Sequence, residues 1–329
     1  MKDSLLQVRD LKIAFPYDGV LTTVVDQVSF DVGKGETLGL VGESGSGKSV
    51  TAKAILKLIE DPPGRVLGGE VLFAGRDVYA MSARELRELR GGRISMIFQE
   101  PMTSLNPVYT CGNQLVEAVR LHRDVGRAEA GRIAVEMLRE VGVQSPEARM
   151  NAYPFELSGG MRQRIMIAMA LCCRPALLIA DEPTTALDPT IQAQILELIR
   201  DMQRQMGLSV LFITHDLGVV AEICDRVAVM YAGKIVEFAP MRTIFKAPLH
   251  PYTSGLLRAV PKLNQEDGLL ETIDGSVPDF SELPAGCAFA PRCPYKTEAC
   301  MSPPPYVQVD NEHFVRCVRA AGPAARPQE

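Results

Sequence analysis

Gly42-Glu43-Ser44-Gly45-Ser46-Gly47-Lys48-Ser49 has the residue types and spacing of a phosphate cradle. Glycines let backbone N–H groups approach phosphate oxygens with no side chain in the way. Thr37 to Val41, just ahead, is a short apolar run that reads as a strand. Behind the loop, Ala52, Ile55, Leu56 and Ile59 share one face of a helix predicted over Ser49 to Ile59. Such a helix points its positive end at a bound anion. Lys48 is placed to reach β- and γ-phosphates, and the Ser49 hydroxyl to ligate Mg²⁺. The chemistry implied is the binding of a nucleoside triphosphate with its metal.

Two further groups extend that chemistry. Leu177-Leu178-Ile179-Ala180-Asp181-Glu182 is an apolar strand that delivers two carboxylates to its C-terminal end, where ligands of parallel sheets bind. Asp181 suits Mg²⁺ held through water, and Glu182 suits orienting or deprotonating an attacking water. A strand ending in acidic residues is common, so this pair gains its meaning from the phosphate loop. In Leu157-Ser158-Gly159-Gly160-Met161-Arg162-Gln163, a serine and two glycines start a helix predicted from Met161 to about Cys173. Met161, Ile165, Ala168, Met169 and Cys172 are its buried stripe. Its N-terminus is a second anion site; the plainer alternative is an ordinary serine N-cap.

With this segment the sequence resembles the ABC transporter ATPase family, whose signature it matches at Ser158, Gly159, Gly160 and Gln163. The resemblance covers about residues 4 to 258. It implies ATP and Mg²⁺ as cofactors, with the signature of one subunit covering the γ-phosphate of ATP held by its partner. It implies a glutamine loop at Gln99, in Ile97-Phe98-Gln99-Glu100-Pro101, that senses Mg²⁺ and faces a membrane subunit. Ala186-Leu187-Asp188 matches the loop that crosses the dimer interface. His215, in Ile213-Thr214-His215-Asp216, matches the switch histidine that contacts the γ-phosphate. Phe15 or Tyr17 is the candidate to stack on adenine.

A narrower resemblance lies in Phe98 to Pro107, in His250-Pro251-Tyr252-Thr253 and in the stretch from Gly286 to Cys300. These are similar to the importers of dipeptides and oligopeptides, a branch shared with nickel and glutathione importers. The partners this implies are two transmembrane permeases, a second ABC ATPase subunit and, through the permeases, an extracytoplasmic binding protein. Cys287, Cys293, Cys300 and Cys317 form a cluster. Four thiolates suit tetrahedral zinc or an iron–sulfur cluster, or they remain unligated. The spacings are wider than the Cys-x2-Cys pairs of structural zinc, and Cys293-Pro294 has the Cys-Pro step of ferredoxin-type ligation. The branch resemblance implies a [4Fe-4S] cluster here. Cys172 and Cys173, on a buried helix, read as packing residues.

The elements that must position these residues follow from pattern. Strand signals at Val24 to Val32, Thr37 to Val41, Leu177 to Ala180 and Val210 to Thr214 alternate with helical stretches such as Ile191 to Met206. That order predicts a largely parallel sheet covered on both faces. The expected fold is α/β, a P-loop NTPase of the ABC type with an inserted helical subdomain at about residues 100 to 157. The ATP-binding domain is expected over residues 1 to 240. Residues 241 to 329 read as a small irregular Cys-rich extension, because closely spaced prolines from Pro240 to Pro305 exclude long helices. Ala320 to Glu329 is expected to fray.

Composition bounds the partners. Of 329 residues 47% are hydrophobic, enough for a substantial core. The net charge of -5 gives no push toward nucleic acid. The longest apolar stretch, Ile165 to Cys173, falls far short of the roughly 20 residues that span a bilayer. The N-terminus lacks the apolar stretch of a signal peptide. The expected location is therefore the cytoplasmic face of the inner membrane, held there by partners.

Overall fold

The computed structural model describes residues 4–99, 104–185, 187–260 and 272–321. Glu100 to Thr103 of the branch motif, Ala186 and the expected frayed end from residue 322 lie outside them. The chain divides into two compact units. A phosphate-loop unit comprises Leu6–Val32, Thr37–Tyr79 and Ile213–Glu329. A helical unit comprises Met1–Leu5, Gly33–Glu36 and Ala80–Phe212.

The chain opens with β1 (Ser4–Tyr17) and β2 (Val20–Gly33). Asp18 and Gly19 between them both take positive φ, as a tight hairpin turn requires. β3 (Thr37–Val41) is buried throughout and leads through the phosphate loop into α1 (Lys48–Ile55). This helix stops short of the predicted Ile59 because Lys57 turns left-handed, with φ 52. β4 (Arg65–Phe73) and β5 (Arg76–Asp77) complete the unit's first stretch.

The helical unit follows. It contains α2 (Ala83–Leu89), β6 (Ile94–Ile97), α3 (Cys111–His122), α4 (Arg127–Glu140), α5 (Pro146–Arg149), α6 (Gly159–Leu171), β7 (Leu177–Asp181) and α7 (Pro189–Met206). Side-chain caps fix several starts. Ser82 and Glu85 form a reciprocal capping box on α2, Thr110 caps α3, and Asp188 caps α7. Gly207, with φ 65, ends α7. α3, α4 and α6 pack on one another, and Leu115, Val119, Ala134, Leu138, Ile165 and Ala168 are buried on them. β6 runs parallel to β7, with Ile94 opposite Leu177 and Ile97 opposite Ala180, and β8 (Ser209–Thr214) lies on the far side of β7.

The chain then returns to the phosphate-loop unit with α8 (Leu217–Ile223), β9 (Arg226–Tyr231), β10 (Lys234–Pro240), α9 (Met241–Lys246), α10 (Pro251–Arg258), β11 (Tyr306–Asp310) and β12 (His313–Arg316). β3 pairs in parallel with β9, whereas β9, β10, β12 and β11 follow one another antiparallel. The sheet is thus more mixed than the strand–helix alternation predicts. The C-terminal extension is also less irregular than its prolines imply, because its last hairpin joins the sheet. Phe238 faces Phe314 across β10 and β12, and Val315 is wholly buried there.

Candidate nucleotide site

The loop after β3 closes on its own lysine. Lys48 Nζ donates to the carbonyls of Gly42 (2.8 Å) and Glu43 (2.9 Å), and the residue is 4% exposed. Gly42 has φ 155, and a Cβ there would stand 2.1 Å from the carbonyl oxygen of Met230, so no other residue fits. The loop is anchored to the turn between β9 and β10, where Gly233 N–H donates to Ser46 O at 2.9 Å. α1 begins at Lys48 with no side-chain cap and no acidic residue in its first turn. Those N–H groups and the lysine form a positive concavity suited to phosphate oxygens. Ser49 is the next residue of the same turn.

Glu43 is held from outside the loop by residues the sequence reading did not assign. Its N–H donates to the Tyr252 hydroxyl at 2.8 Å, at the start of α10. Its carboxylate takes three hydrogen bonds from the Arg292 guanidinium, at 3.0, 3.1 and 3.1 Å. Burial works against the charge on Arg292, but the Glu43 carboxylate outweighs it and raises its pKa. Tyr252 packs against Tyr231 and Phe289, and burial pushes its phenol up. The tyrosine belongs to the His250 to Thr253 motif, so a signal existed, but nothing in the local sequence points from it to Glu43.

In the helical unit, β7 ends at Asp181 (2% exposed), and Glu182 follows with φ 48. A left-handed glutamate is strained backbone of the kind found at reactive positions. Its Oε2 accepts from Gln99 Nε2 at 3.2 Å and from Thr185 Oγ1 at 2.9 Å. The residues proposed as glutamine loop and base are therefore in contact. Ser158 caps α6 through a 3.4 Å bond to Met161 N–H, and Ser158 and Gly159 are exposed at the helix tip beside the half-buried Gly160. Gln163 is different: it is wholly buried, and its Nε2 donates to the carbonyl of Pro183, one residue beyond Glu182. It braces the carboxylate-bearing turn from inside.

His215 stands exposed after β8, and Asp216 beside it caps α8 by accepting from Gly218 N–H at 2.8 Å. The two aromatic candidates differ. Phe15 is half-buried against Gly64, whose added Cβ would lie 2.6 Å from its ring. Tyr17 is 50% exposed and lines a cleft of about 440 Å³ with Val20, Thr22, Lys234 and Phe280.

The four C-terminal cysteines line one small pocket together with Phe289 and Tyr295. Cys300 and Cys317 are buried, and Cys287 and Cys293 half-buried. Gly286 makes the convergence possible: a Cβ there would lie 2.2 Å from the carbonyl oxygen of Cys300, to which Cys287 N–H donates at 2.9 Å. Burial first, and then the neighbouring thiols, push the thiols of Cys287, Cys293 and Cys317 up. Among the described residues, no three His, Cys, Asp or Glu side chains are close enough to hold one metal ion. A single tetrahedral zinc would need sulfurs about 3.8 Å apart, from its 2.3 Å bonds. That spacing is not matched. Four thiols around one pocket are the donor type that iron–sulfur centres take. Cys172 and Cys173 lie apart from this group; Cys172 is buried and its Sγ sits 3.1 Å from the Met169 carbonyl, as a packing residue would. No helix among the described residues is long and apolar enough to cross a membrane.

The family model described as ABC transporter matches residues 25–185, and that described as oligopeptide/dipeptide transporter, C-terminal region, matches residues 236–300. A probable peptide ABC transporter ATP-binding protein of Sinorhizobium fredii is 53% identical over 97% of this chain and 96% of its own. The oligopeptide transport ATP-binding protein OppD of Escherichia coli is 51% identical over 92% of this chain and 89% of its own. A dimeric ATP-binding cassette solved in a post-hydrolysis state, bound to ADP and Pi, superposes with a TM-score of 0.64. It is 25% identical and covers 72% of this chain and 99% of its own. The chain belongs to the ABC transporter ATP-binding family of ATPases, in its oligopeptide/dipeptide transporter branch.

Proposed function

We propose that this ATPase energises import of dipeptides or oligopeptides across the cytoplasmic membrane, working on its inner face with two permeases and a second ATPase subunit. The observation that carries the reading is the phosphate loop clasping Lys48 in a chain that also carries the branch's C-terminal region. The peptide cargo is supported by relatives near 50% identity, which are peptide and oligopeptide transport ATP-binding proteins. An extracytoplasmic binding protein would deliver the peptide to the permeases. Exposed Val108 and Tyr109, and Tyr153 stacked on Phe155, offer the helical unit apolar surface for a permease contact. The net charge of -5 gives no push toward nucleic acid.

Each site residue has a role consistent with its setting. Gly42 to Gly47 and Lys48 would cradle the phosphates of ATP. The Ser49 hydroxyl, Gln99 and, through water, Asp181 would hold Mg²⁺, which neutralises phosphate charge when bound. Glu182 would orient and deprotonate the attacking water, positioned by Gln99 and by the turn that Gln163 braces. His215 would contact the γ-phosphate. Ser158 to Gly160, at the open tip of α6, would close over ATP held by the partner subunit, with Leu187 and Asp188 near that interface. Of the two aromatics, Tyr17 on the open cleft suits adenine better than Phe15. We read residues 1–240 as the ATP-binding domain, with an inserted helical part at about 100–157, and 241–329 as the extension. Within that extension, Cys287, Cys293, Cys300 and Cys317 would hold a [4Fe-4S] cluster. The cluster would cross-link a segment with little core of its own.

The test is uptake. In cells producing the chain with its cognate permeases and binding protein, labelled di- or tripeptide should accumulate in an ATP-dependent way. Lys48→Ala should reduce that accumulation to background. Accumulation of nickel instead of peptide, or peptide uptake unchanged by Lys48→Ala, would contradict the proposal.

A further inference from the structure

We infer that Arg292, in the cysteine-bearing extension, is a positioning residue for the ATP site: it neutralises and holds Glu43, the second residue of the phosphate loop. The inference rests on reading this loop as the ATP site. The two residues lie 249 positions apart, yet the guanidinium meets both carboxylate oxygens. Arg292 is itself fixed. Its side chain is 6% exposed, its Nε donates to Asp274 O at 2.9 Å, and its Nη2 donates to Ile273 O at 3.2 Å. Tyr231 lies beneath it, with the guanidinium carbon 5.9 Å from the ring centroid. A buried, fully bonded arginine does not wander, so its fork sets where the Glu43 carboxylate goes.

The need for such a partner follows from charge. Glu43 stands in a loop built to receive an anion, and its carbonyl already accepts from Lys48 Nζ. An unpaired carboxylate there would repel nucleotide phosphates and compete for the lysine ammonium. Arg292 removes both problems and leaves the backbone of Glu43 to Tyr252 and Lys48. Since Arg292 directly precedes Cys293, the segment that gathers the thiols is also the segment that holds the loop. The geometry gives the extension a defined task at the nucleotide.

The experiment measures Mg-ATP dissociation constants on the full-length chain in a Glu182→Gln background, where turnover is silenced. Melting temperature and bound iron are recorded for each variant. Arg292→Met is expected to weaken Mg-ATP binding about tenfold and Arg292→Lys about threefold, with melting temperature and iron content near the parent's. Glu43→Gln is measured alone and in combination with Arg292→Met. Combined with Arg292→Met, it is expected to recover most of the lost affinity, because the repelling charge has gone. In the assembled transporter with native Glu182, Arg292→Met should raise KM for ATP while kcat stays within about twofold. Unchanged affinity in a folded Arg292→Met protein would overturn the inference. So would a loss that tracks a lower melting temperature and is not recovered by Glu43→Gln, since that marks a merely structural role. If the parent protein itself binds no Mg-ATP, the nucleotide-site reading falls and this inference with it.

Discussion

His250 illustrates how single residues of the extension are fixed. It caps α10, its Nδ1 accepting from Tyr252 N–H at 3.1 Å, and it is 1% exposed. Burial holds its imidazole down to about 4, well below the ordinary histidine value of 6.5. The fold therefore favours the neutral ring. Between pH 6.5 and 4 the unfolded chain binds the proton and the folded chain resists it. The stability this group contributes is complete above about 6.5 and is lost as pH falls toward 4, on the order of 3 kcal/mol in all. Melting temperature should accordingly drop between pH 7 and pH 5, and less steeply in His250→Asn, whose side chain can keep the cap. Equal slopes for the two proteins would contradict this. At this scale Gly42 to Ser49 and Asp181-Glu182 were legible in the sequence, because their chemistry is carried by neighbours along the chain. Tyr252 and Arg292 were not, because their partner is Glu43, 209 and 249 positions away.

Among elements, those bounded by local chemistry were the most legible. The strand before the loop, the capped start of α6 and the run of α7 to Met206 agree with their patterns, since a serine or aspartate cap and a glycine stop act within a turn. α1 ends early at a left-handed lysine, which no composition rule foretells. The β11–β12 hairpin was hidden by flanking prolines and became a strand pair through β10, a tertiary partner. Among the described residues between α10 and that hairpin, the chain has only short 3-10 turns and few buried apolar residues, Phe289 and Ala290 chief among them. The proposed cluster would cross-link such a segment. On that proposal, protein purified without oxygen should carry iron and a broad absorption band at roughly 400 nm, as iron–sulfur centres do. Cys300→Ser should lose much of both and melt at a lower temperature. An iron-free, colourless and equally stable wild type would remove the cluster from the account.

At the scale of the whole molecule, one unit carries the phosphate loop with Lys48, and the other carries a glutamate held by Gln99. The open tip of α6 suggests that a second ATPase subunit completes the proposed site, so an isolated chain is expected to hydrolyse ATP poorly. The sequence made the family legible because three short motifs recur in one order. It left the cargo open, because the residues that select a peptide belong to other subunits in the assembly proposed. The most direct test is steady-state phosphate release by the assembled transporter with Glu182→Gln, measured beside Mg-ATP binding. Removing the proposed base should slow release by roughly 10²-fold or more while Mg-ATP binding persists. Release at the wild-type rate, or loss of nucleotide binding in a folded variant, would contradict the role given to Glu182.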